Sequence, residues 1–230
     1  MTQFPTLDRA ELELVSRLQV AQQRTWQELP ADGVEVECAG ESFTVLPNVF
    51  PPRGDTRLLL DNLEIVPGSS VLDVGSGCGV LAILAVRRGA RFAVAVDINP
   101  DAVRNTGLNV VRHAMDDRIE VRLSDGFSAI ATTEKFDVIL ANLPGRNETA
   151  ANLVEAAQWD SGFRTHESFF AQAPHHLLPG GKIVMTKANY PELNTVVELA
   201  ERSGFETSIL ARKDPGQDDP RTYYALAFGR

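Results

Sequence analysis

The sequence predicts an α/β fold: a doubly wound, mostly parallel sheet of seven strands with an antiparallel last strand, preceded by a helix and a β-hairpin. Three observations support this prediction. From Ser70 onward, strand patterns alternate with helical patterns, as in βαβ units around a parallel sheet. A glycine-rich turn over residues 75–79 joins the first of these strands to a helix. The last two strand patterns have a short, turn-like connection, which indicates an antiparallel pair.

The first 50 residues predict a helix and a hairpin on the substrate side of a main domain that occupies residues 51–230. Between Leu7 and Leu29, apolar residues recur at helical spacing, which indicates an amphipathic helix that packs on the main domain or acts as a lid. The strand patterns Val34–Cys38 and Ser42–Leu46 flank an Ala-Gly pair and predict a hairpin.

The main domain is predicted to begin with a helix that carries Leu58 to Leu63 and that Asp55 or Thr56 can cap. The strands that follow are predicted at Ser70–Val74, Phe92–Val96, Ile119–Leu123, Val138–Ala141, Lys182–Met185, Glu206–Leu210 and Tyr223–Phe228. Helices are predicted at about Val80–Arg88, Pro100–His113, Glu167–Leu177 and Pro191–Ser203. The 230-residue length suits one such domain with a small N-terminal appendage.

Composition limits the partners of the chain. The formal net charge of −9 argues against an extended phosphate-binding face, so we expect no nucleic-acid partner. The two cysteines, Cys38 and Cys78, lie far apart without metal-ligand spacing, so free thiols and no metal site are expected. No apolar run has membrane-spanning length, and no secretory signal pattern opens the sequence. We therefore expect a cytoplasmic protein without a membrane partner.

The glycine-rich turn predicts a site where a ligand approaches the backbone closely. Gly75, Gly77 and Gly79 follow a buried strand pattern, and Asp73 lies two residues before the first of them. A nicotinamide-binding Gly-x-Gly-x-x-Gly pattern that starts at Gly75 would require glycine at position 80, where this chain has Val80. The spacing of the glycines therefore argues against a dinucleotide dehydrogenase.

Two more strands end in polar residues that could hold a nucleoside. Asp97 follows the second strand, where a carboxylate can accept hydrogen bonds from a ribose diol, and Asp125-Gly126 follows the third. Together with the glycine turn, these motifs resemble those of the class I methyltransferases that use S-adenosylmethionine (SAM). The resemblance implies a Rossmann-like fold with SAM as the cofactor. The cofactor-binding residues that it implies are Asp73, Gly75, Ser76, Gly77, Gly79, Asp97, Ile98, Asp125, Gly126 and Asn142.

The fourth strand ends in Asn142-Leu143-Pro144-Gly145, which is similar to the Asn-Pro-Pro-Tyr motif of N-methyltransferases. With the hairpin and the segment Pro52-Arg53-Gly54-Asp55-Thr56, this motif resembles the protein-glutamine N5-methyltransferases that modify release factors. The resemblance implies that Asn142 and Pro144 are catalytic and orient the acceptor nitrogen. It also makes Arg53, Thr56 and Tyr190 candidates on the substrate side.

This chain departs from that pattern at the residues that decide the reaction. Leu143 replaces the first proline, Gly145 replaces the aromatic residue, and one N-terminal helix stands where the family has a helical recognition domain. We therefore expect methyl transfer to a small amine or amino acid more than to a glutamine side chain of a protein. Two alternatives stay open: a SAM-consuming cyclase that forms azetidine-2-carboxylate and releases methylthioadenosine, and a non-catalytic SAM-binding partner protein.

Overall fold

The computed structural model describes residues 4–230, whose strands form a hairpin and a seven-stranded sheet. The strands are β1 (Val34–Cys38), β2 (Glu41–Val45), β3 (Ser70–Val74), β4 (Phe92–Asp97), β5 (Ile119–Leu123), β6 (Phe136–Ala141), β7 (Leu177–Ala188), β8 (Glu206–Lys213) and β9 (Tyr223–Gly229). The helices are α1 (Arg9–Gln27), α2 (Gly54–Asp61), α3 (Val80–Arg87), α4 (Pro100–Arg112), α5 (Leu153–Ala156), α6 (Arg164–Gln172) and α7 (Glu192–Arg202).

The large sheet has the order β5-β4-β3-β6-β7-β9-β8. The first five strands in this order pair in parallel, and β9 is antiparallel to both of its neighbours. The predicted seven-stranded, doubly wound sheet with an antiparallel last strand is therefore confirmed. Because β9 lies between β7 and β8, the outer strand at this edge is β8.

The segment between β6 and β7 differs most from the prediction. The helix predicted over Glu167–Leu177 is wrong at its C-terminal end, because α6 ends at Gln172 and Pro174 follows in a 3₁₀ turn. Leu177 instead begins β7, where it pairs with Phe136. Strand β7 is consequently longer than predicted, and it extends to Ala188 beside the site described below.

Side-chain alternation along the strands divides the core into two layers. Val71 of β3 packs on the layer that contains the hairpin, α2 and α3. Leu72, the next residue, packs on the opposite layer with Phe169 and Phe170 of α6. The hairpin is held to the main domain by Asn109 of α4, whose Nδ2 donates hydrogen bonds to the carbonyl oxygens of Thr44 and Cys78, both at 2.8 Å. The hairpin thereby supports the glycine turn.

Helix α1 lies across the loops that follow β6 and β7. Its N-terminus is closed by a capping box between Asp8 and Glu11, and the backbone N–H of Leu7 donates to the carbonyl oxygen of Asn189 at 3.0 Å. Near its C-terminus, the Gln23 side chain donates to Gln158 Oε1 at 2.9 Å. Both ends of α1 are therefore fixed to the main domain. Within residues 4–230, no helix is both long and apolar enough to cross a membrane.

Candidate functional site

The turn between β3 and α3 requires glycine. Gly75, Gly77 and Gly79 have φ angles of +77°, +58° and +84°, which side-chain-bearing residues rarely adopt. A Cβ atom at Gly79 would lie 2.9 Å from Thr106 Cγ2, so glycine allows α3 to pack closely on α4. Gly75, Ser76 and Gly77 line the larger of two adjoining cavities at the carboxyl ends of the strands, and Gly79 does not.

The Asp73 side chain points away from this cavity. It is fully buried beneath α3, and Oδ2 accepts a hydrogen bond from the Ala82 backbone N–H at 3.1 Å. Within residues 4–230, Oδ1 has no hydrogen-bond partner. Burial raises the pKa of the Asp73 carboxyl to about 7. The structure thus corrects the expectation of a direct cofactor contact, because strand alternation directs Asp73 into the helix layer.

Asp97 lies at the end of β4, in the wall of the larger cavity. Its Oδ2 accepts from the Gly77 N–H and its Oδ1 from the Asn99 N–H, both at 2.9 Å. Burial raises the pKa of Asp97, while these two hydrogen bonds favour its ionised form. Each carboxylate oxygen has a second lone pair, so Asp97 can still accept hydrogen bonds from a diol.

The far end of the cavity combines a polar group with apolar walls. Asp125 is exposed there, next to Gly126, and its carboxylate makes no hydrogen bond with another of the described residues. Ile98 and Leu153 also line the cavity, and their side chains are 48% and 39% exposed. Exposed apolar residues that face a cavity suit the flat surface of a purine.

These features fit SAM. The acceptors Asp97 and Asp125 would hold the ribose and the adenine amino group, Ile98 and Leu153 would cover the purine, and the glycine turn would lie against the methionine portion. Thr56, which is 3% exposed, lines the same cavity. Within residues 4–230, no cluster of three or more His, Cys, Asp or Glu side chains could hold a metal ion.

Asn142 lies where the two cavities meet and lines both of them. Its Nδ2 donates to Asp55 Oδ2 at 3.1 Å, and its Oδ1 accepts from the Thr186 hydroxyl at 3.0 Å. The side chain is therefore fixed between α2 and β7. Its amide oxygen, which the sequence motif would offer to a substrate N–H, is already engaged by Thr186.

Lys187 engages the backbone carbonyls of the same motif. Its ammonium donates to the carbonyl oxygens of Leu143 at 2.7 Å and Pro144 at 3.0 Å. The side chain is buried, which lowers the pKa of Lys187 to about 7. No carboxylate of residues 4–230 lies within 4.0 Å of its nitrogen. Lys187 thus rigidifies the loop and places a cationic group beside Asn142.

The aromatic residue that the motif lacks at position 145 is supplied from elsewhere in the chain. A Cβ atom at Gly145 would lie 2.8 Å from Cε2 of Tyr190, so the Tyr190 ring occupies the space that a side chain would need. The Tyr190 hydroxyl accepts from Arg221 at 3.1 Å and from Gln19 at 3.4 Å. Glycine at 145 and tyrosine at 190 therefore form one packing unit.

The smaller cavity lies on the other side of Asn142–Pro144 from the larger one, beneath α1. Its polar lining includes Gln19 of α1, Asp55 of α2, Lys187 of β7 and Tyr223 of β9, together with Arg53 before α2 and Tyr190 after β7. Phe50 lines both cavities and packs edge-on against Trp26 of α1, with ring centroids 4.8 Å apart. Helix α1 and the Phe50 loop thus close this cavity together.

The sequence prediction missed Thr186 and Lys187. Their only signal in the sequence is a polar pair within the otherwise apolar run from Ile183 to Ala188. A buried lysine in a strand is uncommon, because burial disfavours its charge. The predicted residues Asn142 and Pro144 lie at the junction of the cavities, Arg53 and Tyr190 line the smaller one, and Thr56 lines the larger one.

The chain is similar in sequence to known methyltransferases. The family model of the methyltransferase small domain matches residues 42–206. A release factor glutamine methyltransferase of Cereibacter sphaeroides is 31% identical over 192 residues, which cover 78% of this chain and 68% of that protein. A putative protein N5-glutamine methyltransferase of Methanocaldococcus jannaschii is 32% identical over 187 residues, which cover 77% of this chain and 91% of that protein.

Among solved structures, the 16S rRNA N2 G1207 methyltransferase of T. thermophilus, in complex with AdoMet and guanosine, matches with a TM-score of 0.64 at 23% identity. The match covers 86% of this chain and 50% of that chain, so the present chain corresponds to half of that protein's length. This likeness supports the fold, and the family assignment rests on the sequence relatives.

Proposed function

From the premise that this chain belongs to the methyltransferase small-domain family, with the release factor and N5-glutamine methyltransferases among its relatives, and is a SAM-dependent methyltransferase, we propose that it methylates the nitrogen of a small amine or amino acid. The observation that carries the proposal is the second cavity. It adjoins the cofactor cavity at Asn142 and lies beneath α1.

The residues at the junction can supply the positioning that methyl transfer requires. SAM provides a methyl group on a sulfonium that is already a good leaving group, so the protein needs chiefly to align the acceptor. Asn142 is held from both sides by Asp55 and Thr186, and Lys187 fixes the carbonyl groups of Leu143 and Pro144. A rigid junction of this kind favours in-line attack by a bound nitrogen.

The position of α1 supports a small acceptor over a protein. Its residues Gln19 and Gln22 line the second cavity, and Arg146 donates to the hydroxyl of Ser16 at 2.5 Å. A protein loop that carries a glutamine would have to reach Asn142 past this helix. The proposal includes no nucleic-acid or membrane partner, in keeping with the net charge of −9.

Asn142→Ala tests the assignment of the junction. We expect kcat for methyl transfer to fall by about 100-fold or more, because the acceptor loses its alignment, while the Kd for SAM changes by less than about threefold. Asn62→Ala, at the C-terminal end of α2 and away from both cavities, is the matched control. An equal loss of SAM affinity and turnover in Asn142→Ala would place this residue in the cofactor site alone and contradict the proposal.

A substrate panel tests the class of acceptor. The enzyme is incubated with SAM and small amines or amino acids, and separately with SAM and a release factor. N-methylated small molecules are the expected product. Methylation of the release factor glutamine, with no small molecule turned over, would refute the proposal of a small acceptor.

A further inference from the structure

Several polar groups that face the second cavity lack partners within residues 4–230. Asp55 Oδ1 and Gln19 Oε1 are both buried and accept no hydrogen bond. The Lys187 ammonium uses two of its three N–H donors. The guanidinium of the exposed residue Arg53 lies over the Trp26 ring, 5.6 Å from its centroid, and makes no hydrogen bond or ion pair with residues 4–230. Unsatisfied buried polar groups are costly, at about 1–3 kcal/mol each. The two buried oxygens and the remaining Lys187 donor around one cavity therefore indicate a polar ligand.

The charges in this cavity have both signs. Asp55 contributes a carboxylate next to Asn142. Lys187 and Arg53 contribute cations, and no carboxylate of residues 4–230 lies within 4.0 Å of either. A third cation, Arg221, is already neutralised by Asp219 through bonds of 2.7 and 2.8 Å. A ligand that satisfies all three unpaired charges must itself carry an amine and an acidic group.

We propose that the second cavity binds a free α-amino acid, whose ammonium group lies against Asp55 and whose carboxylate lies between Lys187 and Arg53. This inference rests on the proposed function, since the bound amine is then the methyl acceptor. In this orientation the amine nitrogen lies beside Asn142, at the junction with the cofactor cavity. Gln19 Oε1 is a further acceptor for the amine or for a polar side chain.

The contacts around Asn142 favour a charged amine over an amide nitrogen as the acceptor. The side-chain oxygen of Asn142 and the backbone oxygen of Leu143 would have to accept the two N–H groups of an amide. In this chain Thr186 donates to the first and Lys187 donates to the second. Each of these oxygens keeps one lone pair, whereas Asp55 Oδ1 accepts no hydrogen bond from residues 4–230, and a carboxylate prefers a charged amine to a neutral amide.

Calorimetric titration of the whole protein tests the ligand class directly. The probes are the common L-α-amino acids, and the tightest of them is compared with its decarboxylated amine and its 2-hydroxy acid, as L-serine is with ethanolamine and glycerate. We expect each analogue to bind about 10- to 100-fold more weakly, because each lacks one charge-assisted contact. Absence of binding by every amino acid, or equal binding of the tightest amino acid and its two analogues, overturns the proposal.

Two variants assign the contacts. Asp55→Asn keeps an acceptor for Asn142, and Lys187→Gln replaces the ammonium with a neutral donor, so each variant removes one charge and keeps a polar group in its place. Each is expected to weaken amino-acid binding by about 10- to 100-fold and to leave the SAM Kd within about threefold. The controls are Asp61→Asn on the exposed end of α2 and Lys182→Gln on β7, neither of which lines the cavity.

The readouts separate this inference from the proposed function. If both variants lose SAM affinity as much as amino-acid affinity, the charged groups hold the methionine end of SAM and the inference is wrong. If simple amines or polyamines are methylated and amino acids do not bind, the proposed methyl transfer to a small amine is supported and the proposed amino-acid site is wrong. If amino acids bind as expected without any methyl transfer, the binding site stands and the proposed function fails.

Discussion

Replacing Asp73 with asparagine tests how this buried carboxylate supports the glycine turn. Asp73 is fully buried and receives one hydrogen bond, from the Ala82 N–H, and burial raises its pKa from 3.8 to about 7. In its neutral form, a carboxyl group of this kind contributes to the free energy of unfolding. This contribution is fully present below the unfolded-state pKa. That contribution is lost as the pH rises through the folded-state pKa.

The size of the effect follows from the pKa. A rise from 3.8 to about 7 corresponds to about 4 kcal/mol in the free energy of unfolding, lost between about pH 4 and about pH 8. Asparagine does not ionise, so Asp73→Asn avoids this loss. Its unpartnered amide carries a constant cost of about 1–3 kcal/mol, which does not depend on pH. The variant is therefore expected to gain about 4 kcal/mol relative to the wild type across this interval.

Urea unfolding at about pH 4 and about pH 8 measures the difference in the free energy of unfolding between the variant and the wild type, with the fluorescence of Trp26 and Trp159 as the signal. The control is Asp116→Asn, an exposed position where stability should change by less than about 0.5 kcal/mol. A stability difference between Asp73→Asn and the wild type that is the same at about pH 4 and about pH 8 would refute the reasoning.

Two further glycine substitutions test the local geometry. Gly79→Ala is expected to cost about 1–3 kcal/mol in urea unfolding, because φ is +84° and the new Cβ would meet Thr106. The control is Gly107→Ala in α4, where no atom lies within 4 Å of the added Cβ, and its free energy of unfolding should rise by about 0.5–1 kcal/mol. A similar loss of stability at both positions would contradict the explanation. Gly145→Ala should displace Tyr190 and raise KM for the acceptor several-fold without changing the SAM Kd, since its Cβ would lie 2.8 Å from the ring. Gly216→Ala has no such contact, and an unchanged KM in Gly145→Ala would show that Tyr190 does not shape the acceptor cavity.

The sequence was sufficient to predict the sheet and the placement of Asp97 and Asp125 at the carboxyl ends of its strands, where both line the larger cavity. Short apolar strand patterns, the glycine spacing and the acids Asp97 and Asp125 are local features that depend on few distant contacts. Their positions at strand ends follow from the parallel topology, in which all carboxyl ends lie on one edge. Asp73 is the exception, because its direction depends on which face of β3 each residue occupies.

The acceptor side could not be predicted in the same way, because it depends on contacts between distant segments. Nothing near Gly145 in the sequence indicates that the Tyr190 ring fills its place. The carbonyl oxygens of Leu143 and Pro144 are engaged by Lys187, which belongs to the next strand of the sheet. The predicted helix extended beyond the observed end of α6 for a local reason, because the prediction did not take into account that Pro174 ends the helix.

The by-product of SAM turnover tests the central claim most directly. The protein is incubated with SAM alone and then with SAM and free amino acids, and the nucleoside is identified by mass spectrometry. We predict S-adenosylhomocysteine, formed only when an amino acid is present and in equal amount to its N-methyl derivative. Methylthioadenosine formed from SAM alone together with an equal amount of azetidine-2-carboxylate, above the level without protein, would contradict the account, because it would show that the α-amine of SAM attacked SAM's own side chain.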